Sequence, residues 1–150
     1  MITSENTKTI RDLVENAGRE YGDRIYPRYE ENDVVYEVSY KQFAAECMAI
    51  AAWTAEQSRQ AGHTVHVGLM GSSSHHYLAV LLGVMSAGCV AVPLDIQVNL
   101  DTFCDCLTRS DVDILFYDWE HPSLVEGAKE RCPPIHTYIS LHHGRHVVCS

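Results

Sequence analysis

The fold of this chain is decided by residues 65–95, whose sequence is VHVGLMGSSSHHYLAVLLGVMSAGCVAVPLD. Val65 to Met70 and Cys89 to Val92 are short apolar runs of strand length. Between them, Gly71 to Ser74 is typical of a turn that ends in a helix cap, and His75 to Ala87 is apolar enough for a buried helix. A strand, a helix and a second strand in this order predict a βαβ unit and a parallel sheet.

The same alternation continues after this stretch. The predicted elements are a helix that Asn99 caps, a strand from Val112 to Tyr117, a helix from Pro122 to Arg131 and a strand from Ile135 to Leu141. Short strands that alternate with helices pair in parallel, because each helix carries the chain back across the sheet. The expected fold is therefore a three-layer α/β domain whose mainly parallel sheet has helices on both faces.

Three predicted elements precede the βαβ region. They are a helix that starts at Thr9 and Asp12, an antiparallel hairpin of Ile25 to Tyr29 and Val34 to Val38 with a turn at residues 31–33, and a helix that starts at a capping box of Ser39 and Gln42 and stops at Gly62. The expected fold therefore includes an N-terminal helix and an antiparallel hairpin in addition to the parallel sheet, and the hairpin is expected to pack to one side of it.

Composition excludes several classes of protein. The chain has 150 residues, of which 46% are hydrophobic, enough for a core without disulfide or metal support. Eleven Lys and Arg against twenty Asp and Glu give a net charge of -9, which opposes binding to nucleic acid or to an anionic membrane surface. The six cysteines form no CxxC pair and are typical of reduced thiols, and residues 1–9 contain no apolar signal segment, so a cytoplasmic location is expected.

One apolar run, from Tyr77 to Leu94, is close to the length of a membrane span. Ser86, Gly88 and Pro93 interrupt it where a helix would end and a strand begin, so we interpret it as a buried helix followed by a buried strand. Because residues 75–87 are apolar on nearly every side of the helix, more than one neighbouring layer must cover them. Without that cover, the sequence predicts an exposed apolar patch or a homodimer formed through residues 75–87, and the alternative is that neighbouring helices of this chain cover them.

The turn Gly71-Ser72-Ser73-Ser74 is the first candidate for chemistry, because free N–H groups at a helix start bind anions. Two interpretations are open: an anion site at Gly71, Ser72, Ser73 and Ser74, or serines that simply cap the helix. The turn lacks the Lys of a P-loop and the three glycines of a dinucleotide-binding loop, which favours the cap.

Histidines and cysteines give no metal site in the sequence. His75-His76 and His142-His143-x-x-His146 are the only histidine clusters, and neither has a nearby Cys or carboxylate that completes a ligand set. Cys104 and Cys106 point to different faces of a helix. No Ser-His-Asp arrangement or distinctive carboxylate pair is recognisable, so we predict no catalytic residue and no metal ligand in this chain.

Residues 85–95, MSAGCVAVPLD, resemble a core motif of the adenylate-forming acyl-CoA synthetases, Lys-Ala-Gly-Gly-x-x-Val-Pro-Leu-Asp. Residues 38–43, VSYKQF, are similar to the family's Thr-Tyr-x-Glu-Leu element, and residues 109–118, RSDVDILFYD, to its later Ala-x-x-Leu strand. The resemblance covers roughly residues 9 to 141 in order and spacing. It departs at Ser86, where a Lys is usual, and at residues 71–77, where relatives often carry Asn-Ser-x-Glu-Trp.

The resemblance implies an enzyme of the fatty-acid–CoA ligase type. In that family ATP and magnesium activate a carboxylate as an acyl-adenylate, and coenzyme A then accepts the acyl group. The family's phosphate loop, ribose-binding Asp and C-terminal domain have no counterpart in residues 1–150. The resemblance therefore implies a truncated N-terminal subdomain that carries no cofactor of its own, needs the rest of its parent enzyme and is inactive alone.

Three alternatives remain open at this point. A fragment of an amino-acid adenylation domain shares the same core motif. A free-standing flavodoxin-like binding module would use Gly71 to Ser74 as its anion site, although such modules seldom begin with a helix and an antiparallel hairpin. An interaction domain that assembles through the apolar helix is the third alternative.

Overall fold

The computed structural model describes residues 1–31, 33–141 and 148–149. The chain divides into two compact units. The first, called here the helix–hairpin unit, comprises residues 1–57 and 74–88. The second, the sheet unit, comprises residues 58–73 and the chain from residue 89 onward.

The helix–hairpin unit contains three helices and one hairpin. Its elements are α1 (Ile10–Tyr21), β1 (Ile25–Glu31), β2 (Val34–Ser39), α2 (Tyr40–Ala61, of which residues 58–61 belong to the sheet unit) and α3 (His75–Ser86). β1 and β2 pair antiparallel, with Tyr29 opposite Tyr36. The predicted hairpin and helices are confirmed, while the turn residue Asn32 lies outside the described residues.

Two capping boxes start α1 and α2 where the sequence predicts them. At α1, the Asp12 N–H donates to Thr9 Oγ1 at 3.0 Å, and the Thr9 N–H donates to Asp12 Oδ2 at 2.9 Å. At α2, the Gln42 N–H donates to Ser39 Oγ at 3.1 Å, and the Ser39 N–H donates to Gln42 Oε1 at 2.9 Å. Each box satisfies backbone donors that the first helical turn leaves without a partner.

The core of the helix–hairpin unit joins its three helices. Val14 of α1, Phe43 and Cys47 of α2, and Ala79 of α3 form one buried cluster. Gly83 of α3 lies so close to α2 that a Cβ there would stand 2.8 Å from the Cys47 carbonyl oxygen. Val80 and Val84 of α3 are buried, while its other large apolar side chains are half-buried, so the exposed apolar patch expected on this helix stays a prediction. The homodimer through residues 75–87 stays a prediction.

The sheet unit alternates strands and helices. Its elements are β3 (His66–Leu69), β4 (Val90–Pro93), α4 (Leu100–Arg109), β5 (Ile114–Tyr117), α5 (Pro122–Arg131), β6 (Thr137–Ser140) and β7 (Val148–Cys149). The strand order is β4-β3-β5-β6-β7, in which the first four strands are parallel and β7 runs antiparallel to β6. The predicted four-strand parallel sheet flanked by helices is confirmed, and β7 is an addition that the sequence did not predict.

Burial in the sheet unit explains why its strands are mainly apolar. Ile114 and Leu115 are adjacent in β5, point to opposite faces of the sheet, and are both 0% exposed. Leu115 shares a buried cluster with Phe103 of α4 and Val125 of α5, so these two helices cover one face of the sheet.

The apolar run from Tyr77 to Leu94 is divided between α3 and β4, as its interruptions predict. Gly88, between them, has a φ of 73°, a backbone conformation that ends the helix and that glycine adopts without strain. Within the part of the chain that the structure describes, no helix is both long and apolar enough to cross a membrane.

Candidate functional site

The strand order creates a topological switch point between β3 and β5. From β3 the chain continues to β4, which lies toward one edge of the sheet, and from β5 it continues to β6, which lies toward the opposite edge. In open α/β sheets, ligands bind in the crevice at the carboxyl ends of two such strands. Gly71 and Ser72 follow β3, and Asp118 follows β5, so these residues are the first place to look for a site.

The loop after β3 is bonded to the loop after β5. The Ser72 N–H donates to Asp118 Oδ2 at 2.9 Å, and the Ser72 hydroxyl donates to Glu120 Oε2 at 3.2 Å. A Cβ at Gly71 would lie 3.0 Å from Asp118 Oδ2, so the loop fits closely over this carboxylate.

These contacts bear on the predicted anion site at residues 71–74. The Ser72 N–H already donates to Asp118, so it is not available to a phosphate. The carboxylates of Asp118 and Glu120 also face the loop, and their negative charge would repel a phosphate there. The two carboxylates therefore oppose a phosphate at this loop, and the anion site at residues 71–74 stays a prediction. Ser74 does what the capping interpretation predicts, since its side chain accepts a hydrogen bond at 3.1 Å from the Tyr77 N–H at the start of α3. Ser73 is exposed.

A first histidine–carboxylate group, called here the loop cluster, consists of Asp118, Glu120 and His121. The Nδ1 atom of His121 lies 2.9 Å from Asp118 Oδ1, and one ligand atom from each of the three residues lies within 4.8 Å of the others. Glu120 is exposed, while Asp118 and His121 are half-buried. These residues were not predicted from the sequence, although an Asp-x-Glu-His pattern directly after a buried strand is a signal that could have revealed them.

A second group, called here the helix cluster, consists of Glu46 on α2 with His75 and His76 at the start of α3. Glu46 Oε1 lies 2.8 Å from His76 Nδ1, and Glu46 Oε2 lies 3.4 Å from His75 Nε2. The His75 side chain is only 4% exposed, and its ring packs against Tyr29 of β1 with centroids 4.7 Å apart. One carboxylate thus faces two imidazoles in a largely enclosed setting.

The helix cluster controls the ionisation of Glu46. Burial by itself raises the pKa of this carboxyl, but hydrogen bonds from His75 and His76 and the charge of both rings outweigh burial, and they lower the pKa from 4.5 to about 2. Glu46 is therefore an anion at neutral pH. The sequence predicted no metal ligand at His75-His76 because their carboxylate partner is 30 residues from His76 along the chain.

The remaining candidates from the sequence are separated in the structure. Cys104 is buried and Cys106 is exposed, as their spacing on α4 predicts. The cysteines at positions 47, 89, 104, 106 and 132 are free thiols. His142, His143 and His146 lie outside the described residues.

The sequence matches the family model of AMP-binding enzymes over residues 14–147. The fold is similar to that of a fatty acyl CoA synthetase from Mycobacterium tuberculosis, with a TM-score of 0.74, 15% identity and coverage of 91% of this chain and 27% of that chain. It is also similar to the A-PCP didomain of a carboxylic acid reductase from Segniliparus rugosus in complex with AMP, with a TM-score of 0.76, 16% identity and coverage of 93% and 22%.

A third similar structure is the fatty acyl-adenylate ligase from L. pneumophila in complex with acyl adenylate and pyrophosphate, with a TM-score of 0.67, 18% identity and coverage of 94% of this chain and 25% of that chain. At such identities the likeness shows the fold alone. The chain spans about a quarter of the length of these three structures. No curated protein matches it in sequence.

Proposed function

Because the chain belongs to the family of AMP-binding enzymes, we propose that it forms the N-terminal part of an ATP-dependent acid–thiol ligase. The observation that carries the proposal is the family match, which extends over residues 14–147. In the intact enzyme, ATP with magnesium would activate a carboxylate as an acyl-adenylate, and coenzyme A would accept the acyl group.

Fatty acids are the proposed class of substrate. Two of the similar structures are described as a fatty acyl CoA synthetase and a fatty acyl-adenylate ligase, which supports a fatty acid as substrate. An amino-acid substrate is the alternative within the same chemistry, since adenylation domains of peptide-synthesising enzymes share the core motif at residues 85–95. A fatty-acid ligase and an amino-acid adenylation domain are distinguished by the acid, fatty or amino, that stimulates incorporation of pyrophosphate into ATP.

A free-standing flavodoxin-like module is the alternative from another class. The order β4-β3-β5-β6 does correspond to the 2-1-3-4 order of such sheets. The family match favours the ligase, and the predicted anion site on which the binding module depends has Asp118 and Glu120 against it.

We further propose that residues 1–150 alone do not catalyse adenylation. Adenylation needs positive charge and N–H donors around the β- and γ-phosphates of ATP. The loop at the switch point offers carboxylates instead, with its Ser72 N–H already engaged. ATP, magnesium and coenzyme A therefore belong to the intact enzyme in this proposal, and the rest of that enzyme is the proposed partner. The free thiols are in keeping with a reducing compartment, and we propose the cytoplasm.

The experiment has a genetic arm and a biochemical arm. Sequencing the transcript beyond the codon for Ser150 should reveal, in frame, a Ser/Thr/Gly-rich stretch that ends in Pro-Lys. The protein encoded by the extended frame should exchange pyrophosphate into ATP when a fatty acid is added, and not when amino acids are added. The 150-residue chain should show neither exchange nor saturable heat with millimolar ATP and magnesium.

Each arm has a result that contradicts the proposal. A stop codon directly after Ser150, together with a monomeric chain that binds no other part of a ligase, would leave a free-standing module. Saturable ATP binding by the 150-residue chain would show that the loop at residues 71–74 does more than cap a helix.

A further inference from the structure

The helix cluster has the composition of a ligand set for a divalent transition metal. Two imidazole nitrogens and one carboxylate are the three protein ligands of several zinc sites that keep a fourth position open. The ligand atoms of Glu46, His75 and His76 all lie within 4.8 Å of one another. In a tetrahedral zinc site, neighbouring ligand atoms lie about 3.3 Å apart, because the bonds to zinc are about 2.0–2.1 Å long. The two rings approach different oxygens of the same carboxylate, with Glu46 Oε2 at 3.4 Å from His75 Nε2 and Glu46 Oε1 at 2.8 Å from His76 Nδ1, so small side-chain shifts would bring one oxygen and both nitrogens to this spacing.

We propose that Glu46, His75 and His76 bind one zinc ion, with the fourth ligand position open to water. The two imidazole nitrogens of this ligand set indicate which metal the site binds. Imidazole nitrogen suits zinc and its first-row neighbours, whereas magnesium and calcium take oxygen ligands. Because three protein ligands do not close the tetrahedron, the ion is not a structural site on which folding depends. This inference does not rest on the proposed ligase function.

The surroundings hold the two histidine side chains in place without the ion. Ser74 caps α3 one residue before His75, which fixes the backbone from which both rings project. The His75 ring contacts two other rings, that of Tyr29 and that of His76, and the His75 and His76 centroids are 3.7 Å apart. Tyr29 is itself stacked on Tyr36 of the neighbouring strand, with centroids 5.1 Å apart. Side chains ordered in advance lose less entropy when a ligand binds.

The loop cluster offers a matched control within the same chain. It too has three candidate ligands within 4.8 Å, but two of them are carboxylates and only His121 is an imidazole. Its Asp118 carboxylate also accepts the Ser72 N–H, which leaves less of its electron density for a metal. Zinc should therefore prefer the helix cluster.

The test is a calorimetric titration of the 150-residue chain, stripped by a chelator, with Zn²⁺ as the only added ligand. The unmodified chain should bind one equivalent through the helix cluster. Glu46→Gln and His76→Asn should each weaken that binding at least tenfold, and His121→Asn in the loop cluster should leave it unchanged.

Histidine side-chain NMR on the unmodified protein provides a measurement that needs no variant to fold. One equivalent of Zn²⁺ should shift the resonances of His75 Nε2 and His76 Nδ1, while Mg²⁺ at the same concentration should not. Absence of zinc binding, binding that neither Glu46→Gln nor His76→Asn weakens, or shifts confined to other histidines would each overturn the proposal.

Discussion

The helix–hairpin unit and the sheet unit distribute charged and apolar side chains in opposite ways. The sheet unit buries adjacent strand residues such as Ile114 and Leu115 completely, and it keeps its loop cluster at the surface, where Glu120 is exposed. The helix–hairpin unit encloses a charged cluster in which the His75 side chain is 4% exposed, and it leaves Val35 of the hairpin 58% exposed.

The contrast lies in one member of each cluster, because His75 is enclosed in the helix cluster and Glu120 is exposed in the loop cluster. In the helix cluster, two imidazoles also lower the pKa of a half-buried carboxylate. An apolar substitution should therefore matter most in the sheet unit, and a charge substitution should matter most in the helix–hairpin unit.

The largest effect is expected in the core of the sheet unit. Phe103 of α4 is 0% exposed, so Phe103→Ala removes a fully buried ring and leaves a cavity. The free energy of unfolding should fall by about 3–5 kcal/mol, measured by urea denaturation. The control is Val35→Ala on the exposed hairpin, which should change the free energy of unfolding by no more than about 0.5 kcal/mol. Equal losses at both positions would contradict the contrast between the units.

The second effect tests the charge of the helix cluster in metal-free buffer. Glu46→Gln should lower the free energy of unfolding at neutral pH by about 2–3 kcal/mol, because the folded state holds the pKa of this carboxyl at about 2 instead of 4.5. A lowered folded-state pKa stabilises the protein above pH 4.5, and this stabilisation is lost as the pH falls through about 2.

The difference between Glu46→Gln and the unmodified chain should therefore shrink over that pH range, as followed by denaturation at a series of pH values. Glu120→Gln in the exposed loop cluster is the matched control and should change stability by no more than about 0.5 kcal/mol at neutral pH. A pH-independent difference for Glu46→Gln would argue that its carboxylate is not held by the two histidines.

The third effect compares close packing in the two units through glycine substitutions. In Gly83→Ala the new Cβ would meet the Cys47 carbonyl oxygen and Ile50 Cβ at 2.8 Å, and a backbone carbonyl yields poorly. We expect a loss of about 1–3 kcal/mol in unfolding free energy. In Gly127→Ala of α5 the new Cβ would overlap the end of the flexible Leu100 side chain, so the loss should be smaller. Thermal denaturation of both variants measures the two losses of stability. A larger loss for Gly127→Ala than for Gly83→Ala would contradict the expected order.

The smallest effect concerns Tyr138, a polar group buried in the sheet unit. Its hydroxyl has no hydrogen-bond partner among the residues that the structure describes, and Lys129 Nζ lies 5.5 Å from the ring centre. Tyr138→Phe keeps the ring and removes the hydroxyl, so stability at neutral pH should stay equal or rise by about 1 kcal/mol or less. A clear loss of stability at neutral pH would reveal a partner for the hydroxyl.

The same variant has a predictable alkaline profile. Burial, aided by neighbouring groups, raises the pKa of Tyr138 from 10 to about 12. A raised folded-state pKa means that stability present below pH 10 is lost as the pH rises through about 12. The Phe variant should lack this part of the alkaline loss, which denaturation above pH 10 would show.

Much of the fold was predictable because its signals are local. The capping boxes at Thr9 and Ser39, the Asn99 cap and the stop at Gly62 involve hydrogen bonds between residues a few positions apart, and all of them are present. Three of the four parallel strands were predicted two or three residues too long, as at Val112, which is buried but lies before β5 begins at Ile114. An apolar pattern marks burial, whereas a strand begins where backbone pairing begins.

The sequence by itself determined the kinds of element, their order, the family and the apolar character of the sheet. Only the tertiary structure decided the strand order, the antiparallel β7 at the edge, and the meeting of Glu46 with His75 and His76. The physical reason is distance along the chain: caps and periodicity act within one or two helical turns, whereas the helix cluster joins residues about 30 positions apart on α2 and α3, two helices that also approach closely at Gly83. A glycine that packs against a neighbouring backbone looks, in the sequence, like any other glycine in an apolar helix.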